Sequence, residues 1–192
     1  QYPGINHSLE GEAKEQRESF GSLGWALIFV FFIIYALLAI PFKSYIQPLI
    51  VMSVIPFGMI GAVIGHWIMG MDLTIMSLLG MLALIGVVVN DSLVLVDYIN
   101  KQKQQGKSVD TAVLHAGVAR FRPVMLTSIT TFFGLMPLLF EQQTQAQFLI
   151  PMAVSLGFGI VFATLITLVL VPVNYMLVER VMGNSSKQTA TT

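Results

Sequence analysis

The chain has 192 residues, of which 55% are hydrophobic and only 10% are charged, and its net charge is zero. A soluble domain of this length needs more charge to cover its surface, so the composition favours a membrane protein. The balanced charge gives no basic field that would suggest nucleic-acid binding, and the absence of cysteine excludes thiol catalysis and disulfides. Because the sequence has no nucleotide-binding or zinc-ligand pattern, we expect no cofactor, no metal and no enzymatic activity.

Five apolar segments are long enough, or nearly so, to cross a bilayer as helices. A hydrocarbon core about 30 Å thick requires about 20 helical residues. The predicted spans in chain order are 23–40, 49–71, 73–98, 124–140 and 148–178. Polar segments flank them, with 1–22 as a juxtamembrane segment before the first span and 179–192 as a tail. We therefore predict an all-α membrane protein with a transmembrane domain over 23–178.

The connection before the fourth span is predicted to form one further helix. Ser108 can cap it, Asp110 lies in its first turn, and apolar residues give it one hydrophobic stripe. Pro123 is expected to break or kink the chain where the span begins. These features predict an amphipathic helix over about 109–122 that lies on the inner face of the membrane.

Basic residues are unevenly distributed between the two ends of the predicted spans. Eight of the ten fall on one side: Lys43, Lys101, Lys103, Lys107, Arg120, Arg122, Arg180 and Lys187. The positive-inside rule makes that side cytoplasmic. With five spans, the N-terminal segment is then expected in a periplasm-like space and the C-terminal tail in the cytoplasm.

Two carboxylates fall within the third span, and charge inside a bilayer requires a reason. Asp91 lies about 27 Å along this span, in its inner half, where a carboxyl group can exchange protons or bond to a neighbouring helix. We favour the functional interpretation for Asp91. Asp97 lies closer to the inner interface, and we interpret it as an ordinary interfacial carboxylate.

The fourth span supplies a possible partner face for Asp91. Arg120 and Thr127 are seven residues apart and share one helix face, which Thr131 extends by one turn. Two alternatives stay open: the threonines can bond to carbonyls of the preceding turn, and Arg120 can simply set the topology. Together with Asp91, these residues suggest a proton relay.

The same residues resemble those of resistance–nodulation–division (RND) efflux transporters. Residues 85–98, IGVVVNDSLVLVDY, resemble the tenth membrane helix of that family, and residues 122–128, RPVMLTS, followed by GLMP at 134–137, resemble the start of its eleventh. PFKS at 41–44 and VIPFGMIG at 54–61 match the link into helix nine and that helix itself. VPVNY at 171–175 matches the end of helix twelve. The resemblance covers nearly the whole chain.

The resemblance implies that residues 1–22 are the end of a periplasmic domain and that the rest of the chain is helices eight to twelve of a bacterial inner-membrane pump. It implies exchange of protons for an exported small molecule, and packing against an N-terminal half of the same transporter. It also implies a homotrimer joined to an adaptor and an outer-membrane channel. Alternatives are a membrane anchor that transports nothing, or a relative that moves lipid or secreted protein.

The resemblance also selects the relay candidates. Arg120 and Thr127 match the family's arginine and threonine on helix eleven, whereas Asn90 stands where multidrug pumps have a lysine. This departure leaves the charge to the neighbouring Asp91. The predicted relay is therefore Asp91, Asn90, Arg120 and Thr127, with Asp97 and Thr131 as secondary candidates.

Overall fold

The computed structural model describes residues 12–189, and these form seven helices without a strand among them. The helices are α1 (Glu12–Phe42), α2 (Gln47–Met52), α3 (Ile55–Met69), α4 (Ile75–Gln104), α5 (Val109–Leu139), α6 (Thr144–Gln147) and α7 (Ile150–Thr189). Five segments are long and apolar enough to cross a membrane: 24–42, 47–69, 75–104, 109–139 and 150–181. The predicted all-α membrane fold is confirmed. Residues 1–11 of the predicted outer segment, and 190–192 of the tail, lie outside the described residues.

The fourth span differs from its prediction, because α5 is one continuous helix through Pro123. The sequence predicted two helices here, one over 109–122 and a second over 124–140. A proline within a helix deprives the carbonyl four residues earlier of its hydrogen bond. That carbonyl belongs to Ala119, which is exposed, so nothing forces the helix to end.

The second span, in contrast, is divided into α2 and α3. Ser53 and Val54 separate the two helices, and Pro56 lies in the first turn of α3, where a missing backbone N–H costs nothing. The hydroxyl of Ser53 donates to the carbonyl of Ile50 at 2.6 Å, which satisfies one carbonyl at the end of α2. The short break therefore keeps most backbone groups bonded.

Helix α7 forms the centre of the bundle because small residues let its neighbours approach. A Cβ atom added to Gly61 of α3 would lie 2.4 Å from the Cβ of Phe162, and one added to Gly65 would lie 2.4 Å from the Cβ of Phe158. A Cβ added to Gly159 of α7 would lie 2.3 Å from a methyl carbon of Leu84 on α4. These glycines let the helices pack closely, and Gly61 and Gly65 have the four-residue spacing of small residues at membrane-helix contacts.

The five spans are buried to very different extents. About half of the residues in the most apolar part of the second, third and fifth spans are buried (44–50%), against 17% in α5 and 6% in α1. α1 and much of α5 therefore present broad faces that no described residue covers.

One end of the bundle carries most of its ionic side chains. Here α4 and α7 finish and α5 begins, and Lys103 forms an ion pair with Glu179 across α4 and α7. Arg180 lies 3.7 Å from a carboxylate oxygen of Asp110, at the start of α5. This end is referred to below as the basic end.

Candidate functional site

Asp91 lies near the middle of α4, about 24 Å from the first residue of the helix and about 20 Å from its last. Its side chain is partly buried. Among the residues whose side chains the structure describes, none forms a hydrogen bond or an ion pair with this carboxylate. A carboxyl group without a fixed partner is chemically free to bind and release a proton.

Arg120 of α5 packs against α4, but it does not contact Asp91. Its guanidinium carbon lies 5.1 Å from the centre of the Tyr98 ring, which is within the range of a cation–π interaction. Tyr98 follows Asp91 by seven residues, so both lie on one face of α4, about 10 Å apart along the axis. The structure thus brings Arg120 to the face that carries Asp91, two turns nearer the basic end.

The guanidinium of Arg120 is not fully bonded. Its Nε atom is buried and has no hydrogen-bond partner among the described residues. A buried donor without an acceptor is costly, and such exceptions are rare in folded proteins. The hydroxyl of Ser92, which adjoins Asp91, is likewise buried and without a described partner.

The threonines of α5 bond to their own helix. The hydroxyl of Thr127 donates to the carbonyl of Pro123 at 2.5 Å, and that of Thr131 donates to the carbonyl of Thr127 at 2.8 Å. Thr130 bonds to the preceding turn in the same way. Thr127 and Thr130 are exposed, so their hydroxyls lie on an uncovered part of α5.

The remaining candidates on α4 separate into two environments. Asn90 is exposed, next to Asp91, on a face that no described residue covers. Asp97 pairs with Lys101 one turn later, at 2.7 Å, and its side chain is 44% exposed. This pairing supports the interpretation of Asp97 as an interfacial carboxylate.

The structure therefore assembles the predicted relay only in part. Arg120 of α5 packs against the face of α4 that carries Asp91, whereas Thr127 and Asn90 lie on uncovered surfaces and form no hydrogen bond with either residue. Sequence reasoning missed Tyr98, the residue that receives Arg120. Its seven-residue spacing from Asp91 was a usable signal, because that spacing places both side chains on one helix face.

A second polar group near the basic end was also missed from the sequence. The amides of Gln47 and Asn100 exchange two hydrogen bonds, of 3.1 and 2.8 Å, and the hydroxyl of Tyr175 donates to Asn100 at 2.7 Å. Lys103 lies over the Tyr175 ring and pairs with Glu179. These contacts join α2, α4 and α7. Because the amides of Gln47 and Asn100 and the hydroxyl of Tyr175 all have hydrogen-bond partners, we interpret the group as structural.

His66, near the end of α3, is a buried polar residue. One ring nitrogen lies 2.9 Å from the carbonyl of Ala62 and the other lies 2.7 Å from the hydroxyl of Ser77. The nitrogen facing the carbonyl must donate, so the other accepts from Ser77. Ser77 also receives the backbone N–H of Thr74 in the cap of α4. His66 thus fixes the end of α3 to the start of α4.

Comparison with known proteins adds a family and several relatives. The chain matches the AcrB/AcrD/AcrF family over residues 2–179. The swarming motility protein SwrC of Bacillus subtilis (strain 168) is 33% identical over 166 residues, which cover 86% of this chain and 16% of SwrC. The multidrug resistance protein MdtC of Yersinia pseudotuberculosis (serotype O:1b, strain IP 31758) is 28% identical over 185 residues, which cover 96% of this chain and 18% of MdtC.

Solved structures show the same arrangement of helices. One crystal form of a heavy metal efflux pump superposes with a TM-score of 0.79 at 25% identity, over 93% of this chain and 18% of the pump. A second crystal form gives a TM-score of 0.77 over 92% of this chain. The chain therefore spans less than a fifth of the length of these relatives.

Proposed function

Because the chain belongs to the AcrB/AcrD/AcrF family of RND efflux transporters, we propose that its helices carry part of the proton pathway of a drug–proton antiporter. Asp91 accepts and releases the proton. Arg120 supplies a fixed positive charge on the same face, and Thr127 is a further polar group on α5. The single observation that carries the proposal is the partly buried Asp91 without a described partner.

The position of Asp91 supports its assignment ahead of other groups. It is the only ionisable residue between residues 73 and 96. A carboxylate at this depth is expensive unless it has a function or a partner. Asn90, which stands where related multidrug pumps are expected to have a lysine, cannot exchange a proton, so proton binding on this stretch of α4 depends on Asp91.

The contact between Arg120 and Tyr98 favours an indirect role for the arginine, as a fixed charge that does not itself carry the proton. The ring holds the guanidinium two turns from Asp91, at a separation too large for a direct ion pair. A movement of α5 along α4 would change the distance between this charge and Asp91, which links proton binding to a movement of the helices.

The wider assembly belongs to the same proposal. The basic end faces the cytoplasm, which places the C-terminal tail in the cytoplasm and the N-terminal segment in the periplasm of a bacterial inner membrane. The uncovered faces of α4 and α5 that carry Asn90 and Thr127 pack against the N-terminal half of the same transporter. The intact pump is a homotrimer that works with an adaptor and an outer-membrane channel, and the chain catalyses no chemical reaction.

The test is efflux by the full-length transporter that carries Asp91→Asn. The substitution preserves size and removes the exchangeable proton, so we expect loss of dye efflux and of substrate-driven proton flux in proteoliposomes. Expression and membrane insertion are measured alongside. Asp97→Asn is the matched control, because it makes the same change six residues away at an exposed, ion-paired carboxylate, and we expect efflux to persist.

Either variant can contradict the proposal. Normal efflux by a well-inserted Asp91→Asn variant would assign proton coupling to other parts of the transporter and leave this segment as a scaffold. Equal losses in Asp91→Asn and Asp97→Asn would indicate a general effect of removing charge from α4 rather than a specific proton site.

A further inference from the structure

An open groove runs between α5 and α7 on the outside of the bundle. Its volume is about 510 Å³, within the range of roughly 300–1,000 Å³ that holds drug-sized ligands. Its lining is apolar except for one side chain: Gly117, Val118, Phe121, Arg122, Leu168 and Val169. Val118, Phe121 and Val169 are each more than half exposed, so the groove opens outward.

The groove lies at the boundary between the hydrocarbon core and the headgroups at the basic end. Helix α5 ends at Leu139, at the opposite end of the bundle, and about 20 residues span the core. Counting back from Leu139 places the boundary near residue 119. Counting forward from Ile150, where α7 begins, places it near residue 170. Both estimates fall at the level of the groove.

Arg122 gives this groove an uncompensated positive charge. The side chain is exposed and forms no ion pair with a described residue. The two carboxylates described on α5 and α7 at this end interact with other cations: Asp110 with Arg180, and Glu179 with Lys103. The charge of Arg122 is therefore available to an anion from outside the bundle.

The missing side chain of Gly117 opens one end of the groove. A Cβ atom at this position would meet no atom within 4 Å. The groove also lies on a different face of α5 from Arg120, because helical residues two positions apart, such as Val118 and Arg120, point about 200° apart. The groove is therefore separate from the proposed proton site.

We infer that this groove binds an anionic phospholipid from the leaflet at the basic end. Its phosphate lies at Arg122, and one acyl chain lies along Val118, Phe121 and Leu168. The apolar wall, the single cation and the depth match the two parts of such a lipid, and basic pockets between membrane helices recognise anionic headgroups. The inference does not depend on proton coupling.

Bound lipid is measured on the full-length transporter, transferred into nanodiscs of phosphatidylethanolamine and phosphatidylglycerol and then analysed by native mass spectrometry. Arg122→Gln is expected to weaken phosphatidylglycerol binding roughly fivefold, the attraction of one basic residue for an anionic surface. Arg122→Lys retains the charge and most of the binding. Gly117→Leu places a side chain in the groove from a position where a Cβ atom meets nothing within 4 Å, and it displaces the lipid.

The control is Gly24→Leu, which makes the same change at an open position on α1 and should leave lipid binding unchanged. Equal retention of the two lipids by the unmodified protein would overturn the inference, as would unchanged binding in both Arg122→Gln and Gly117→Leu. A Gly117→Leu variant that changes the mass of the assembled complex and releases no lipid would instead identify the groove as a protein contact, which also overturns it.

Discussion

Two glycines of α4 allow the packing against α7 to be tested against an internal reference. A Cβ atom on Gly80 would lie 2.5 Å from the backbone carbonyl oxygen of Met152 and 2.8 Å from the Cβ of Ser155. Neither atom can move away by a side-chain rotation, so Gly80→Ala must push α4 away from α7. A Cβ atom on Gly86, six residues later, would meet nothing within 4 Å.

The comparison isolates the cost of packing because both substitutions occur within the same helix. Each gains about 1 kcal/mol of helix propensity, which cancels in the difference. Overpacking costs about 1–3 kcal/mol, so we expect Gly80→Ala to be less stable than Gly86→Ala by about that amount. Any shift of α7 away from α4 would also disturb its close approaches to Gly61 and Gly65, which places the expectation in the upper half of the range.

The assay is unfolding of the 192-residue chain in mixed detergent micelles as the fraction of denaturing detergent rises, followed by circular dichroism. The 192-residue chain is used because Gly86 is open in it, whereas the rest of a full-length transporter can cover this position. Equal midpoints for the two variants, or a lower midpoint for Gly86→Ala, would refute the close contact between α4 and α7.

Two further predictions concern polar contacts that the sequence did not reveal. Asn100→Leu should destabilise the chain more than Gln47→Leu, each by about 1–3 kcal/mol, because it removes hydrogen bonds from both Gln47 and the Tyr175 hydroxyl. In the same unfolding assay, the double variant should cost less than the sum of the two single variants, and strict additivity would contradict the contact. Tyr98→Leu removes the ring beneath Arg120 and should reduce efflux by the full-length transporter. Tyr98→Phe keeps the ring and should retain efflux. Equal efflux by the two variants would exclude a role for this contact.

The spans themselves could be predicted because bilayer thickness fixes the length of a membrane helix. The apolar run over 73–98 therefore identified α4. The continuity of α5 could not be predicted in this way. Whether Pro123 ends a helix depends on whether the carbonyl of Ala119 is covered, and this is a property of the tertiary structure.

Less of the candidate site than of the spans could be predicted, because its geometry also depends on how two helices pack. The sequence identifies which residues share a face of one helix, and this was sufficient to select Asp91, Arg120 and Thr127. It does not give the axial offset between two helices. The packing of α5 on α4 brings Arg120 to Tyr98 rather than to Asp91, an offset of two turns that no pattern within either helix contains.

The difference in surroundings between Asp91 and Asp97 leads to a chemical prediction. An apolar carbodiimide partitions into the membrane and modifies carboxyl groups in their protonated form. Asp91 lies within the apolar part of α4 without a described partner, whereas Asp97 pairs with Lys101 at 2.7 Å. We therefore expect modification of this chain in liposomes to occur at Asp91, detected by peptide mass spectrometry, and to be lost in Asp91→Asn. Comparable labelling of Asp97 would show that depth and pairing do not distinguish the two carboxyls, and would remove the main physical reason for assigning the proton to Asp91.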